Sequence, residues 1–183
     1  IEHPAILRTC EAMAKQGFEI TYLNVDSNGV ISLEELENAI TEKTALISIM
    51  AANNEIGSIQ PLKEIGEIAK KHNVLFHTDA VQAVGNVHIN VKEQNIDMLS
   101  LSGHKLHAPK GVGVLYVRRG TRFRPYLKGG HQERGRRAGT ENVPYIIGMG
   151  KACELAGAKI EEERTKVSAM RDRLEAGLLA AIP

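Results

Sequence analysis

Apolar residues recur along the chain with two different periods, and the changes of period divide it into helices and strands. Recurrence every three to four positions predicts helices over residues 4–16, 32–40, 61–71 and from 143 onward. Short apolar or alternating runs predict strands over residues 19–25, 44–50, 74–78, 97–101 and 113–117. Because strands and helices alternate, the pattern predicts an α/β three-layer sandwich with helices on both faces of a mainly parallel sheet.

Length and charge limit the classes of protein to which the chain can belong. Its 183 residues suffice for one domain with its own core, and the net charge of +1 favours neither nucleic acid nor a membrane surface as a partner. No apolar run reaches membrane-spanning length. The chain lacks an initiator methionine and stops at the end of an amphipathic helix, so we expect an internal piece of a longer protein.

The two cysteines favour no metal site. Cys10 and Cys153 lie far apart and fit no metal-ligand spacing. Each falls on the apolar stripe of a predicted helix, where cysteine usually acts as a small buried hydrophobe. We therefore expect both to be buried, and two unpaired cysteines favour a reducing, cytoplasmic compartment.

Polar side chains follow three consecutive predicted strands. In parallel sheets ligands bind at the carboxyl ends of the strands, so the residues just after each strand are the candidates for a site. Those strand ends bring together an amide, a carboxylate, a hydroxyl, an imidazole and an amine, from Asn54, Asp79, Gln82, Ser102, His104 and Lys105.

These side chains suit one kind of cofactor. A partly desolvated lysine such as Lys105 can condense with an aldehyde, and a carboxylate such as Asp79 can keep a pyridine nitrogen protonated. Gln82 is placed to bond a ring oxygen, and Ser102, the amide of Gly103 and His104 can donate to a phosphate. Each signal is weak by itself, but together they indicate a site for pyridoxal 5'-phosphate on Lys105.

At these residues the sequence resembles the NifS-like cysteine desulfurases, within the class V aminotransferase superfamily of fold-type I pyridoxal-phosphate enzymes. The matching segments occur in the family's order and cover nearly the whole chain. They are residues 2–5 (EHPA), 53–57 (NNEIG), 77–82 (HTDAVQ), 100–111 (SLSGHKLHAPKG), 129–134 (GGHQER) and 137–142 (RAGTEN).

The resemblance implies a role for each candidate residue. Lys105 would carry the cofactor as a Schiff base and shuttle protons, and His3 would stack on the cofactor and serve as an acid–base group. Thr140 would reach the phosphate of a neighbouring subunit, which implies a homodimer. Asp79 would pair with the pyridinium and Gln82 with the ring hydroxyl. The phosphate would be bound by Ser102, Gly103 and His104, and Asn54 would contact cofactor and substrate near the ring.

The family reaction converts L-cysteine to L-alanine and leaves a persulfide on an enzyme cysteine, whose sulfur passes to an acceptor or scaffold protein for iron–sulfur clusters or thio-modified nucleosides. Neither Cys10 nor Cys153 matches the family's persulfide cysteine, which we expect beyond Pro183. The family's first phosphate loop would precede Ile1. Residues 1–183 would thus be one cofactor-binding large domain without the C-terminal small domain, inactive by itself.

Several other interpretations remain open. His3 and Thr140 could be simple helix caps, and the parent could be a selenocysteine lyase, another class V aminotransferase or a non-catalytic scaffold. Residues 24–35 also mimic a calcium-binding EF-hand loop, although Asn24 replaces the usual first Asp and no helix is predicted before it. A β-turn at residues 26–29 followed by a helix capped by Ser32 and Glu35 explains the same letters.

Overall fold

The computed structural model describes residues 1–182 as a four-stranded sheet with helices around it. The elements follow in the order α1 (Pro4–Ala14), α2 (Leu33–Ala39), β1 (Leu46–Ser48), α3 (Leu62–Lys71), β2 (Leu75–Asp79), β3 (Met98–Ser102), a 3-10 turn (Gly103–Leu106), β4 (Gly113–Val117), α4 (Gln132–Gly135) and α5 (Val143–Ala181). The short α4 is a single turn with left-handed φ at Glu133 and Arg134.

The strands lie in the order β1-β2-β3-β4, and the first three are parallel. β4 runs antiparallel to β3, with Ser102 opposite Gly113. The predicted α/β class with a mainly parallel sheet is therefore confirmed. The helix α3 connects β1 to β2, as a crossover between parallel strands requires.

One face of the sheet carries the main core. Ile47, Phe76 and Leu99 come from three adjacent strands and are buried together with the inner side of α3. That side of α3 presents Leu62, Ile65 and Ala69, which recur at the helical spacing predicted for its apolar face. The burial of this stripe accounts for the position of α3 against the sheet.

A second cluster attaches α5 to the turn after β3. Leu106 packs with Met149 and Ala152, and the rest of α5 exposes most of its apolar residues. The expectation that Cys153 is buried is wrong, because Cys153 is exposed. The contact runs through Met149 and Ala152, and the next residue of a helix points about 100° away from that line. Cys10 is half-buried.

The strand predicted over residues 19–25 is wrong. The segment is extended, but only Val25 pairs with another residue, in an isolated antiparallel bridge to Ile31. Alternation of apolar and polar residues is necessary for a half-buried strand, yet a strand also needs a neighbouring backbone. Tyr22 is exposed, whereas Leu23 packs against the main core, so the segment is held by side-chain contact without a strand partner.

The EF-hand interpretation lacks the helix that should lead into the loop, since α1 ends at Ala14 and residues 18–24 are not helical, and two carboxylates of the loop bond its own backbone. Asp26 accepts hydrogen bonds from the amides of Asn28 and Val30, both at 2.9 Å, and Glu35 accepts from the amide of Asn24 at 3.2 Å. The bond from Val30 is the first cause of the lowered pKa of Asp26. Ser32 caps α2 by accepting from the Glu35 amide at 3.2 Å. The β-turn and the cap by Ser32 are confirmed, whereas the Glu35 carboxylate bonds Asn24 and so does not complete the capping box.

No helix among residues 1–182 combines the length and the apolar character needed to span a membrane.

Candidate active site

The carboxyl ends of β1, β2 and β3 meet at one edge of the sheet. Backbone hydrogen bonds continue the pairing past the strands: the Ala51 amide donates to the Asp79 carbonyl at 2.8 Å, and the Ala80 amide donates to the Ser100 carbonyl at 2.9 Å. The segments that carry Asn54, Asp79 and Lys105 therefore leave the sheet at the same edge. The predicted convergence of three strand ends is confirmed.

Asp79 ends β2 as a buried carboxylate with only 7% of the residue exposed. Its Oδ1 accepts from the Val81 amide at 3.0 Å, which starts the turns that follow the strand. Its Oδ2 accepts no hydrogen bond from the described residues. Gln82 is half-buried one position after Val81 and makes no side-chain hydrogen bond in the described chain, so its amide group is available to a ligand.

Lys105 lies on the 3-10 turn directly after β3. Its neighbours Gly103 and Leu106 are buried, and Leu106 packs under α5 against Met149. His107, with a left-handed φ of 61°, ends the turn. The Lys105 side chain is exposed, and within residues 1–182 its amine forms no ion pair. A rigid turn thus presents an uncommitted amine at the sheet edge.

The residues around Lys105 divide into ligand-facing and structural groups. The Ser102 hydroxyl and His104 Nδ1 lie 2.7 Å apart, which pairs two phosphate-binding candidates. The Gly103 amide, however, donates to the Val112 carbonyl at 2.9 Å. The predicted donation from this amide to a phosphate is therefore corrected: the fold already uses it. A Cβ at Gly103 would stand 2.9 Å from Val112 Cγ1, so glycine serves packing there.

His3 is held at the same edge by its neighbours. Glu2 Oε1 accepts from the Met50 amide at 2.6 Å, and Asn53 donates from its side chain to the Ile1 carbonyl at 2.8 Å. His3 caps α1, because its Nδ1 accepts from the Ala5 amide at 3.1 Å. Since an amide can only donate, the proton of a neutral His3 ring lies on Nε2.

The two adjacent asparagines have different environments. Asn53 is buried, and its Oδ1 accepts from the amides of Glu55 and Ile56 at 2.8 and 2.9 Å. Asn54 is exposed at the tip that these bonds shape. Asn53 therefore builds the loop, and Asn54 is exposed at its tip.

Thr140 is the candidate that the described chain does not bring to this edge. It is exposed, and no hydrogen bond of residues 1–182 links it to the strand ends. The helix-cap interpretation of Thr140 is wrong, since Asn142 caps α5 by accepting from the Tyr145 amide. An exposed Thr140 leaves its predicted contact with a second subunit open.

Sequence reasoning missed two groups near the site. Burial is the largest cause of the raised pKa of Glu2, which the bond from the Met50 amide opposes. His77 is on the same strand as Asp79, and its ring lies between a serine of β1 and a serine of β3. Both residues lie inside matched segments, Glu2 beside His3 and His77 two positions before Asp79, and a polar residue within a predicted apolar strand was the available signal for His77.

The residues present fit pyridoxal phosphate. A buried carboxylate with one oxygen left over, an uncommitted lysine and an adjoining serine–histidine pair lie at one edge of the sheet. Residues 1–182 hold no cluster of three or more potential histidine, cysteine, aspartate or glutamate metal ligands.

The comparisons with known proteins identify the family of the chain. The family model described as aminotransferase class V matches residues 1–182, and the chain belongs to that family. A cysteine desulfurase of Nostoc sp. is 58% identical over 183 residues, which are 100% of this chain and 46% of that protein. The chain thus spans about half the length of the curated relatives it matches.

Solved structures confirm the fold. A structure described as a NifS-like protein superimposes with a TM-score of 0.95 at 46% identity, covering 98% of this chain and 50% of that one. Another, described as SspA in complex with cysteine, gives a TM-score of 0.82 at 47% identity and covers 84% of this chain and 45% of that one. The predicted large-domain fold of the class V enzymes is confirmed.

Proposed function

We propose that the full-length protein containing this chain is a pyridoxal-phosphate-dependent cysteine desulfurase. It would convert L-cysteine to L-alanine and transfer the sulfur to one of its own cysteines. The observation that carries the proposal is the meeting of Asp79 and Lys105 at one sheet edge, in a chain similar to cysteine desulfurases along its whole length. A neighbouring structure is described as a complex with cysteine, which supports that substrate.

The chain's own residues would divide the work between binding and proton transfer. Bound pyridoxal phosphate supplies an electron sink for bond breaking in the amino acid. Asp79 would hold a negative charge at the ring nitrogen, and Gln82 and Asn54 would orient the ring. Ser102 and His104 would bind the phosphate.

Lys105 would hold the cofactor covalently through Nζ and then move a proton at the substrate's Cα. His3 is the second proton carrier, acting through Nε2, because Nδ1 is occupied by the Ala5 amide. Thr140 would bind the phosphate held by a second subunit, so the working enzyme would be a homodimer.

The persulfide would form on a cysteine outside residues 1–183. Burial, with Glu2 nearby, raises the pKa of the half-buried Cys10 and disfavours the thiolate that attacks sulfur. Cys153 lies on the exposed side of α5, away from the turn that carries Lys105. Residues 1–183 alone would therefore be inactive. We propose a cytoplasmic enzyme that passes sulfur to an acceptor or scaffold protein for iron–sulfur cluster assembly.

Product analysis of the full-length protein tests the proposal. With L-cysteine and a thiol reductant, we expect alanine and sulfide in equal amounts, and neither product from the Lys105→Ala variant. Formation of a keto acid without sulfide would instead indicate an aminotransferase. A strong preference for selenocysteine over cysteine in the same assay would indicate a selenocysteine lyase.

A further inference from the structure

A hydrogen-bonded chain of three side chains crosses the sheet just below Asp79. The Ser48 hydroxyl lies 2.8 Å from His77 Nδ1, and the Ser100 hydroxyl lies 2.9 Å from His77 Nε2. The three residues belong to β1, β2 and β3, so one imidazole joins three adjacent parallel strands. His77 is only 9% exposed.

Strand pairing places this chain directly against the candidate cofactor carboxylate. Ser48 is paired with His77, whereas Ser100 is paired with Asp79. Paired residues of a parallel sheet share a face, and so do residues two apart on one strand. The ring of His77 therefore bonds Ser100, which lies two positions beyond the residue paired with His77 and directly beside Asp79.

The imidazole is suited to bond both serines without a charge. A neutral ring donates from one nitrogen and accepts at the other, and a hydroxyl can take either part. Burial lowers the pKa of His77, although the negative charge of Asp79 opposes this. A neutral His77 does not neutralise Asp79, so the charge of the carboxylate remains available to a ligand.

We propose that His77 is a positioning residue, which through Ser48 and Ser100 holds the Asp79 carboxylate in the orientation that the cofactor ring nitrogen requires. The inference rests on the proposed function, since it assumes that Asp79 faces that nitrogen. Asp79 Oδ1 is bonded to the Val81 amide, and the strand pairing places Ser100, the last member of the chain, beside Asp79 on the same face of the sheet. His77 itself would touch neither cofactor nor substrate.

A double-mutant cycle on the affinity of the full-length apoprotein for pyridoxal phosphate tests the proposal. We expect His77→Phe to weaken binding about tenfold, within the range for directly coupled residues. In an Asp79→Asn background the same change should have little effect, because the carboxylate it positions is absent. Equal losses in both backgrounds would overturn the proposal and leave His77 a structural cross-link.

Further variants keep the test valid if phenylalanine disturbs folding. Ser100→Ala removes one hydrogen bond of the chain and leaves only a small gap. We expect a smaller loss of cofactor affinity than for His77→Phe, and no further loss in the Asp79→Asn background. His77→Gln keeps a donor and an acceptor and should restore part of the affinity. If Ser100→Ala lowered cofactor affinity equally in the wild-type and Asp79→Asn backgrounds, Ser100 would not act by positioning Asp79.

Thr78→Val is the matched control on the same strand. Thr78 is fully buried at 0% exposure, on the other face of β2, and its hydroxyl has no hydrogen-bond partner among residues 1–182. We expect it to leave the cofactor affinity unchanged. If the wild-type protein binds no pyridoxal phosphate, the proposed function itself fails. Normal wild-type binding with an additive cycle refutes only the role of His77.

Discussion

Gly66 of α3 lies so close to the Gln94 carbonyl oxygen that a Cβ at position 66 would stand 1.9 Å from it. The contact joins the crossover helix to the segment that leads into β3. The backbone before β3 can approach α3 in this way only because position 66 has no side chain. The placement of β3, and with it the turn that carries Lys105, depends on this approach.

Replacing Gly66 by alanine should therefore destabilise the full-length protein by about 3 kcal/mol, since the clash is with backbone rather than with a movable side chain. Gly157→Ala is the control: it lies within α5, where a Cβ meets no atom within 4 Å. That change should stabilise by about 1 kcal/mol through helix propensity. Denaturant unfolding measures both, and equal effects would contradict the close packing of α3.

Lys105 and Lys110 provide a matched pair for locating the covalent bond to the cofactor. Both are exposed lysines on the segment between β3 and β4. Lys105→Ala should abolish the cofactor adduct that borohydride makes permanent, whereas Lys110→Ala should retain it. Mass spectrometry of the reduced full-length protein provides the measurement. An adduct that survives in Lys105→Ala would move the bond to another residue.

The helix cap formed by His3 and its proposed acid–base role can be separated by two substitutions. His3→Ala removes the cap of α1 and should cost about 1 kcal/mol, whereas asparagine caps well and should preserve stability. Both variants lack the imidazole, so desulfuration should fall about 10²-fold or more in each. Thermal unfolding and turnover are measured together. Full turnover in His3→Asn would mean that His3 is only a cap.

Stability should depend on pH through Glu37. Side-chain hydrogen bonds from Lys71 at 2.6 Å and His72 at 2.7 Å lower the pKa of this carboxylate from its ordinary value of 4.5. A carboxylate whose pKa is lowered by folding stabilises the protein above its unfolded value. That contribution is lost as the pH falls through the lowered folded value.

Glu37→Gln should accordingly reduce the fall in stability below pH 4.5 and have its largest effect above it. Glu42, an exposed glutamate of the same region, provides the matched control as Glu42→Gln. Urea unfolding of the full-length protein at a series of pH values is the measurement. Parallel curves for wild type and Glu37→Gln would rule out the contribution.

Periodicity predicted the sheet because β1, β2 and β3 each bury apolar residues, and β4 is an apolar run although Val114 and Leu115 are exposed. Residues 113–117 form β4 as predicted, and β2 and β3 are each displaced by one residue. The strand predicted over residues 19–25 failed because a pattern of side chains carries no information about a partner strand. The prediction that Cys153 is buried failed for a related reason: a long apolar stripe does not reveal which part of α5 has a surface to cover it.

The candidate site was predictable where chemistry follows a strand, as for Asp79 and Lys105. The hydrogen bond that occupies the Gly103 amide was not predictable, because its acceptor, the Val112 carbonyl, lies on the backbone that returns toward β4. Nor was the Ser48–His77–Ser100 chain, since strand register brings those three residues together and a single sequence does not contain the register. Local patterns thus locate the site, and tertiary pairing decides which groups remain free in it.

The antiparallel direction of β4 has a consequence for the lysine. Ser102 faces Gly113 across the two strands, and the Gly103 amide bonds to Val112, so residues 104–111 form a short loop closed at its base. A loop tethered at both ends has few conformations to lose when a ligand arrives. The reversal of one strand therefore restricts the backbone on which Lys105 stands.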